Sequence, residues 1–449
     1  MSGHSAIAAA VVGNGLEWYN FILYGVFAAV IARLFFPTGN PLSSLLLSLA
    51  TFGVGFFMRP VGGVLLSIYS DRFGRKPALS LTIALMCVGT TMIAVMPTYA
   101  TIGIAAPLLL VLARLLQGFS AGGEMGNATA FMREYAPPER RCFYYSWVYA
   151  SSGLFIALGL LVGSLVSAGF SRDALEAWGW RVPFLLGLLI GPVGYVLRTR
   201  VPDPPAAQRT TDPAGRPFRE VLSRYPLQSL ATGALIVLST TCTYVLIVYT
   251  PVYTVRTLGL PQSYGFAATI SGTVVAGLLT PAVGRLVDRF GPRPFLRFAS
   301  AAFFVLAYPM FAYVNRAPSL PTLLVFVMVF AVVIACYQGA ILAGIALMFP
   351  ARTLATGLSF ADNIAVAVFG GSAAFFITAL IAWTGSHMVP AYYLMSGAAI
   401  GFAGTLVLGK KQGEGSPSAG NSTGCAGGTF AHSALNPLGS ADPRPHLLK

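Results

Sequence analysis

Five ionisable side chains lie within apolar stretches of a chain in which only 9% of residues are charged: Glu17, Arg59, Arg114, Glu124 and Asp362. A charge at membrane depth is costly, so such residues usually mark a transport pathway or pair with one another. An arginine can hold a carboxylate through two hydrogen bonds. A carboxylate in a cavity can carry a proton. The alternative interpretation is that these residues form structural ion pairs between helices.

Polar residues at helical spacing accompany these charges. The first apolar run carries a stripe with intervals of three, three and four residues: Asn14, Glu17, Asn20 and Tyr24. The fourth run places Arg114, Gln117 and Glu124 on one face. Arg114 and Glu124 lie about 15 Å apart along a straight helix. Each of these two therefore needs another partner or a ligand.

Hydroxyl and amide groups in the second half are further candidates for contact with a ligand. The seventh run contains Tyr244 and Tyr249 with three threonines and Pro251, a composition that favours a locally bent helix lining a cavity. The tenth run contributes Tyr337 and Gln338. Packing is the alternative role for each of these side chains. Asp362 could instead cap a broken helix.

The composition predicts an all-α membrane protein. Apolar residues make up 56% of the 449-residue chain and the mean hydropathy is +0.73, whereas a soluble domain is about 45–50% apolar and about 25% charged. Twelve apolar runs of membrane-spanning length follow one another along the sequence. The basic residues are divided among short gaps between these runs, which argues against nucleic-acid binding. No nucleophile, metal or cofactor pattern supports an enzyme, so no cofactor and no metal are expected.

The runs predict two bundles of six helices. The expected parts are an N-terminal bundle over 1–198, a cytoplasmic central loop over 199–226, a C-terminal bundle over 227–409, and a disordered cytoplasmic tail over 410–449. Most loop arginines and lysines lie on the side of the N-terminus, so the positive-inside rule predicts that both termini are cytoplasmic. We expect a multi-pass protein of a plasma membrane, in bacteria the inner membrane.

A charged loop occurs twice, between the second and third runs of each half. The first copy supplies Asp71, Arg72, Arg75 and Lys76, and the second supplies Asp288, Arg289 and Arg293. The arginines could lock or release a contact at the cytoplasmic face. A positive-inside turn without a gating role is the alternative. The second copy has the full pattern Gly-x-x-x-Asp-Arg-x-Gly-x-Arg, starting at Gly284, whereas Ser67 replaces the first glycine in the earlier copy.

This pattern resembles the signature of the major facilitator superfamily. Several segments together are similar to its metabolite:proton symporter family, in particular those at 13–19, 58–62, 114–124 and 178–184. The seventh run looks most like that of citrate and tricarballylate carriers. Two positions depart from the family pattern: Asn20 stands where an aspartate is usual, and Asp362 where an uncharged residue is more common.

The resemblance implies two six-helix bundles, related by pseudo-symmetry, that rock about a central site and import a di- or tricarboxylate with protons. Arg114, together with Arg59, would bind the anion. Glu17 or Glu124 would carry the proton, and Asp362 is the third candidate for proton coupling. A same-family symporter for a zwitterionic osmolyte or a monocarboxylate is one alternative. A drug/proton antiporter is another, from a different class. The expected partners are the small organic anion, protons and the lipid bilayer, and the protein is expected to be a monomer.

Overall fold

The computed structural model describes residues 3–73, 75–188, 191–192 and 216–408, and all regular structure among them is helical. The first half contains α1 Gly3–Val26, α2 Ala28–Phe35, α3 Pro41–Phe73, α4 Arg75–Val95, α5 Tyr99–Ile102, α6 Ala105–Gly122, α7 Glu124–Tyr135, α8 Arg141–Gly169, α9 Arg172–Ala177 and α10 Val182–Leu188. The second half contains α11 Arg216–Arg224, α12 Pro226–Thr243, a π-helical segment Tyr244–Tyr249, α13 Thr250–Arg256, α14 Gln262–Phe290, α15 Pro292–Arg316, α16 Leu320–Ala346, α17 Ala351–Phe369, α18 Ala373–Thr384 and α19 Val389–Val407.

Within the described residues, eight helical segments of 25 to 32 residues are long and apolar enough to cross a membrane. Helices α1 and α2 form a ninth span if the 60° bend between them lies within one crossing. Ser80–Val95 is a shorter apolar helix, and α10 and α19 occupy the positions of the sixth and twelfth predicted runs. The helices therefore follow the predicted order, and the all-α membrane fold is confirmed.

Three spans are interrupted where glycine or proline occurs. The fourth span is split at Gly123 into α6 and α7, and the eleventh is split after Gly370 into α17 and α18. In the seventh span, the π-helical segment ends just before Pro251, whose nitrogen has no hydrogen to donate to an α-helical ladder. The irregularity that the sequence predicts for this span is present.

Part of the predicted central loop is helical. The sequence predicts a loop over 199–226, but Arg216–Arg224 form helix α11, which packs against α12 and α17. Its Val221 is fully buried while Arg219 and Arg224 are exposed, so one apolar face is covered and the charges stay outside. Residues 193–198 of the predicted N-terminal bundle, residues 199–215 of the predicted loop and the predicted tail over 410–449 lie outside the described residues.

Two seams join the halves along their length. Helix α14 packs against α8, and α17 packs against α3 and α7. Glycines allow the first pair to approach closely, since a Cβ on Gly277 would lie 3.3 Å from the carbonyl oxygen of Ala150. A Cβ on Gly284 would overlap the side chain of Ser146. The buried charges lie at the second seam and immediately beside it.

Candidate functional site

Arg114 of α6 is completely buried. Its Nη1 donates to Oε1 of Gln117 at 2.8 Å, and its Nη2 donates to the carbonyl oxygen of Phe52 at 3.4 Å. Gln117 is held in turn by Thr90, whose hydroxyl oxygen accepts from Nε2 at 3.0 Å. The Nε of Arg114 has no hydrogen-bond acceptor among the described residues. A buried donor without an acceptor is costly, so this atom is suited to an oxygen that arrives with a ligand.

Aromatic rings enclose the Arg114 guanidinium. Its Cζ lies 4.6 Å from the ring centre of Phe21, 4.7 Å from that of Tyr24 and 4.9 Å from that of Phe52. The faces of aromatic rings attract a cation, by about 0.5–1 kcal/mol at exposed sites and by about 2 kcal/mol or more where water is excluded. Three rings therefore support this charge without neutralising it. Tyr24 is fixed by donating its hydroxyl hydrogen to the carbonyl oxygen of Ser48 at 3.2 Å.

Tyr244, at the start of the π-helical segment, approaches this region from the second half. Its ring meets that of Phe56 edge to face at 5.5 Å between centres. Its side chain lies within electrostatic range of both Arg59 and Arg114. Its hydroxyl is buried and has no hydrogen-bond partner among the described residues. Tyr244 and Arg114 thus place two unsatisfied polar atoms in one region.

Arg59 of α3 forms a buried ion pair with Asp362 of α17. Its Nη2 lies 3.1 Å from Oδ2 of Asp362, and the side chains are only 7% and 6% exposed. Its Nε donates to Oδ1 of Asn363 at 3.2 Å, and Nδ2 of Asn363 donates to the carbonyl oxygen of Gly122 at 2.7 Å. This network links α3, α6 and α17, and it spans the two halves of the molecule.

Three glycines let these helices approach closely enough for the network to form. A Cβ on Gly122 would lie 2.6 Å from the backbone nitrogen of Gly63 and would overlap the carbonyl of Arg59. A Cβ on Gly62 would overlap the carbonyl of Phe119. Because backbone atoms cannot rotate away as a side chain can, any larger residue would push α3 and α6 apart.

Glu17 and Glu124 face the same space beside α1. Both line a cavity that also borders Asn20, and both line a second cavity that borders Arg59. Thr82 donates its hydroxyl hydrogen to Oε2 of Glu124 at 3.5 Å. The structure therefore brings together two of the three acids that the sequence predicts for proton coupling, next to one of the two predicted arginines.

The predicted polar stripe of the first helix diverges into three environments. Asn14 donates to the carbonyl oxygen of Val148 at 2.8 Å and to the hydroxyl of Ser152 at 2.7 Å, both in α8. Tyr24 faces α3, whereas Glu17 and Asn20 border the cavity. The stripe therefore contacts α8 and α3 at its two ends, and its first three residues border the two adjoining cavities.

Other predicted ligand contacts lie elsewhere in the second half. The hydroxyl of Tyr337 donates to the carbonyl oxygen of Leu235 at 2.7 Å, an interaction within the bundle. Tyr249 is buried with its ring 6.1 Å from that of Tyr253. Gln338 is half-buried in α16. Asp362 does not cap a helix end, because it lies inside α17, seven residues before its last residue, Phe369.

The second charged loop makes a direct contact between the halves. The two carboxylate oxygens of Asp288 accept hydrogen bonds from the backbone nitrogens of Cys142 at 2.8 Å and Phe143 at 3.1 Å, in the first turn of α8. A helix N-terminus presents free N–H groups and a partial positive charge, so a carboxylate is favoured there. Gly291 has a φ of +78°, which favours glycine at the turn that follows.

Of the remaining predicted gating residues, the structure describes the side chains of two, Arg289 and Arg293. Arg289 lies over the ring of Phe290 at 5.3 Å, and Arg293 is partly buried at the start of α15. In the first copy, α3 ends at Phe73 and α4 begins at Arg75. The side chains of Asp71, Arg72, Arg75 and Lys76 lie outside the described residues.

Sequence reasoning missed several members of the site. Phe21 and Phe52 are indistinguishable from packing residues in an apolar run. Asn363 is adjacent to Asp362, and the amide beside an intramembrane acid was the available signal. Thr90 offered no signal beyond a hydroxyl within an apolar run.

Comparison with known proteins agrees with this architecture. The family model described as Major Facilitator Superfamily matches residues 7–279. The citrate-proton symporter of Salmonella typhi is 36% identical over 404 residues, which cover 90% of this chain and 93% of that protein. The proline/betaine transporter of Escherichia coli K12 is 34% identical over 412 residues, which cover 88% of this chain and 81% of that one.

The solved structure of the proton:xylose symporter XylE bound to 6-bromo-6-deoxy-D-glucose has the same fold, with a TM-score of 0.74. The superposition covers 91% of this chain and 95% of that one, at 18% sequence identity. The similarity of sequence extends through the helices that carry Arg59, Arg114 and both glutamates. The chain belongs to the major facilitator superfamily, and it is a membrane transporter and not an enzyme.

Proposed function

We propose that this protein is a secondary active transporter that imports a small organic anion with two or three carboxylates, such as citrate or tricarballylate, together with protons. The observation that carries this proposal is Arg114, a fully buried cation whose partners among the described residues are neutral and whose Nε has no acceptor. A carboxylate at that position would satisfy both the charge and the donor. Relatives named citrate-proton symporters support this substrate class.

Protons would enter through Glu17 or Glu124. Both line the cavity beside Arg59, so a change in their charge would be felt by a nearby bound anion. Protonation of a buried acid while an anion binds the arginines would keep the number of uncompensated charges low. The substrate and the proton would therefore cross together.

Alternating access would require the contacts between the halves to open and close. Asp288 at the first turn of α8 is one such contact, and we infer that it stabilises the state in which this end is closed. From the distribution of basic residues, we infer that this end lies at the cytoplasmic face of a bacterial inner membrane. We further propose that the protein acts as a monomer in the bilayer.

A zwitterionic osmolyte is the second candidate substrate. Three aromatic rings surround Arg114, and such rings could also contact a quaternary ammonium group if the carboxylate bound the arginine. Asp362 already neutralises Arg59, which leaves a single positive charge for one carboxylate. Similarity to proline/betaine transporters also favours this alternative.

Uptake into proteoliposomes under an imposed pH gradient distinguishes the two candidates. Citrate, tricarballylate, 2-oxoglutarate and betaine would be compared for the wild type, for Arg114→Lys and for the control Arg172→Lys, whose side chain is 77% exposed. We expect uptake of the polycarboxylates by the wild type and a loss of at least about tenfold in Arg114→Lys, because lysine lacks the bidentate fork. Betaine uptake without polycarboxylate uptake would overturn the proposal in favour of the second candidate.

A further inference from the structure

Arg59 holds the carboxylate of Asp362 in the way that it would hold a carboxylate of a bound substrate. The pair is buried, unlike a surface salt bridge. Nη2 of Arg59 contacts one carboxylate oxygen at 3.1 Å, and both side chains are almost fully excluded from solvent. The acid comes from the opposite half of the molecule, 303 positions along the chain. The protein thus presents its own carboxylate to one of the two arginines that the proposed function requires for an anion.

Other ionisable groups face this pair from four other helical segments. Tyr149 of α8 and Tyr244 of the seventh span lie within electrostatic range of both members of the pair. On the other side of Arg59, Glu17 of α1 and Glu124 of α7 line the adjoining cavity. Arg59 is the cation that contacts Asp362 directly. An uncompensated charge here would be strongly unfavourable, since water is largely excluded.

The charge balance of the site then constrains how a polycarboxylate can bind. With Asp362 ionised, Arg59 is already neutralised and Arg114 offers the uncompensated positive charge. One substrate carboxylate can bind Arg114, but a second needs Arg59 to be released from Asp362. If Arg59 left an ionised Asp362 behind, a buried negative charge would have no partner.

We propose that Asp362 is an internal substitute for a substrate carboxylate, exchanged for the substrate with the uptake of one proton. This inference rests on the proposed function. In the exchange, the Arg59–Asp362 ion pair breaks, an Arg59–substrate ion pair forms, and a proton from solution binds an oxygen of Asp362. The charge around Arg59 is unchanged by this step, because the incoming carboxylate replaces the one that the proton neutralises. Reversal of the same step on the other side of the membrane releases both.

The exchange would also act on the contact between the halves. The Arg59–Asp362 pair ties α3 to α17 across the second seam. At this pair, substrate without a proton would leave the charge of Asp362 unpaired, and a proton without substrate would leave that of Arg59 unpaired, whereas both together leave neither residue with an unpaired charge. The seam would therefore loosen only in the doubly occupied state, which couples transport of the two species.

The test is the pH dependence of citrate transport by purified protein in proteoliposomes. The variant is Asp362→Asn, with Asp362→Glu as the conservative rescue and Asp173→Asn, an exposed aspartate, as the matched control. Wild type and variants are compared at each pH, so that the ionisation of citrate itself cancels. We expect the ratio of the wild-type KM to the KM of Asp362→Asn to increase as the pH is raised, by up to about tenfold for each pH unit. Binding to the wild type takes up one proton, and protons become scarcer as the pH rises.

Two further measurements keep the test independent of folding defects. Asp362→Asn should retain counterflow exchange of citrate while losing most of its accumulation under a pH gradient, and Asp362→Glu should restore the pH dependence. The double variant Arg59→Gln/Asp362→Asn leaves neither member of the pair as an unpaired charge, and it should bind citrate at least about tenfold more weakly than Asp362→Asn.

The outcomes separate this inference from the proposed function. Absence of uptake of any polycarboxylate by the wild type overturns the proposed function, and the inference with it. Uptake by the wild type, with Asp362→Asn showing the same pH dependence and the same accumulation, overturns the inference alone. A wild-type pH dependence that is lost in Asp362→Asn and restored in Asp362→Glu supports both.

Discussion

Arg59 and Arg114 lie on packed neighbouring helices of the same half, yet only one of the two is paired with an acid. Arg59 is neutralised by an acid from the other half and is fixed by Asn363. Arg114 contacts an amide, a backbone carbonyl and aromatic rings, none of which carries a full negative charge. A neutralised charge can hold two parts of a protein together, whereas an uncompensated one favours the binding of an anion.

The largest expected effect separates the two arginines by stability. Arg59→Gln would leave Asp362 as a buried acid without its cation, at a cost of about 3–5 kcal/mol in the free energy of unfolding. Arg114→Gln leaves no carboxylate behind. It should therefore lower the free energy of unfolding by about 1–3 kcal/mol, the cost of an unsatisfied buried polar group. Thermal unfolding in detergent micelles would measure the difference.

The double variant Arg59→Gln/Asp362→Asn is the control for this comparison. It removes both charges, so most of the stability lost in Arg59→Gln should return. An equal loss in Arg59→Gln and Arg114→Gln would contradict the contrast between a paired and an uncompensated arginine.

The second effect concerns the glycine contact that positions Arg59. Gly122→Ala would place a methyl group against the backbone of Arg59 and Gly63, and we expect it to cost about 1–3 kcal/mol through separation of α3 and α6. Gly233→Ala in α12 is the matched control, since a Cβ there meets nothing within 4 Å. It should be neutral or slightly stabilising, because alanine favours a helix.

Gly118 allows a second comparison, because it also lies where α3 and α6 approach closely, with its Cα against the backbone of Gly55. Gly118→Ala should also destabilise the protein. In double-mutant cycles, however, Gly122→Ala should couple to Arg59→Gln more strongly than Gly118→Ala does, since Asn363 donates to the carbonyl oxygen of Gly122. Equal coupling would show that the glycines act only through helix spacing.

The sequence predicts the fold and the identities of the buried charges, but not their pairing. Composition and the repeated loop are sufficient for the all-α membrane fold, since a bilayer requires long apolar helices. That Arg59 contacts Asp362 depends on the register of α3 against α17, between residues 303 positions apart. Periodicity within one helix carries no information about that register.

An irregularity that a residue causes in its own helix can be predicted from the sequence, whereas a contact between helices cannot. Pro251 indicated an irregular seventh helix, and the π-helical segment ends two residues before it, because the missing donor of proline acts on its own helix. The aromatic residues around Arg114 are a property of three packed helices. Phe21 and Phe52 gave no sign of a role beyond packing.

A smaller effect is expected at the other contact between the halves. Asp288→Asn removes the negative charge that faces the N-terminus of α8 but keeps an oxygen that can accept one of the two backbone hydrogen bonds. The cost should be about 0.3–2 kcal/mol, the range for a charge at a helix end. Asp173→Asn, at an exposed site, is the control for loss of an acid as such.

This substitution also tests where the two halves are tied together. A cysteine introduced near the repeated loops should react faster with a water-soluble thiol reagent in Asp288→Asn than in the wild-type background. The reason is that the closed state at that end loses a contact. Unchanged accessibility with normal uptake would indicate that Asp288 does not hold the halves together at this end.

The smallest effect compares two tyrosines on either side of Arg114. Tyr24→Phe removes a hydrogen bond to the carbonyl oxygen of Ser48 and should cost about 0.5–1.5 kcal/mol of stability. Tyr244→Phe removes a buried hydroxyl that has no partner among the described residues, so stability should be unchanged or slightly higher. Transport should show the reverse order if the Tyr244 hydroxyl contacts the substrate, with a larger rise in KM in Tyr244→Phe. A stability loss in Tyr244→Phe equal to that in Tyr24→Phe would mean that its hydroxyl is already satisfied within the protein.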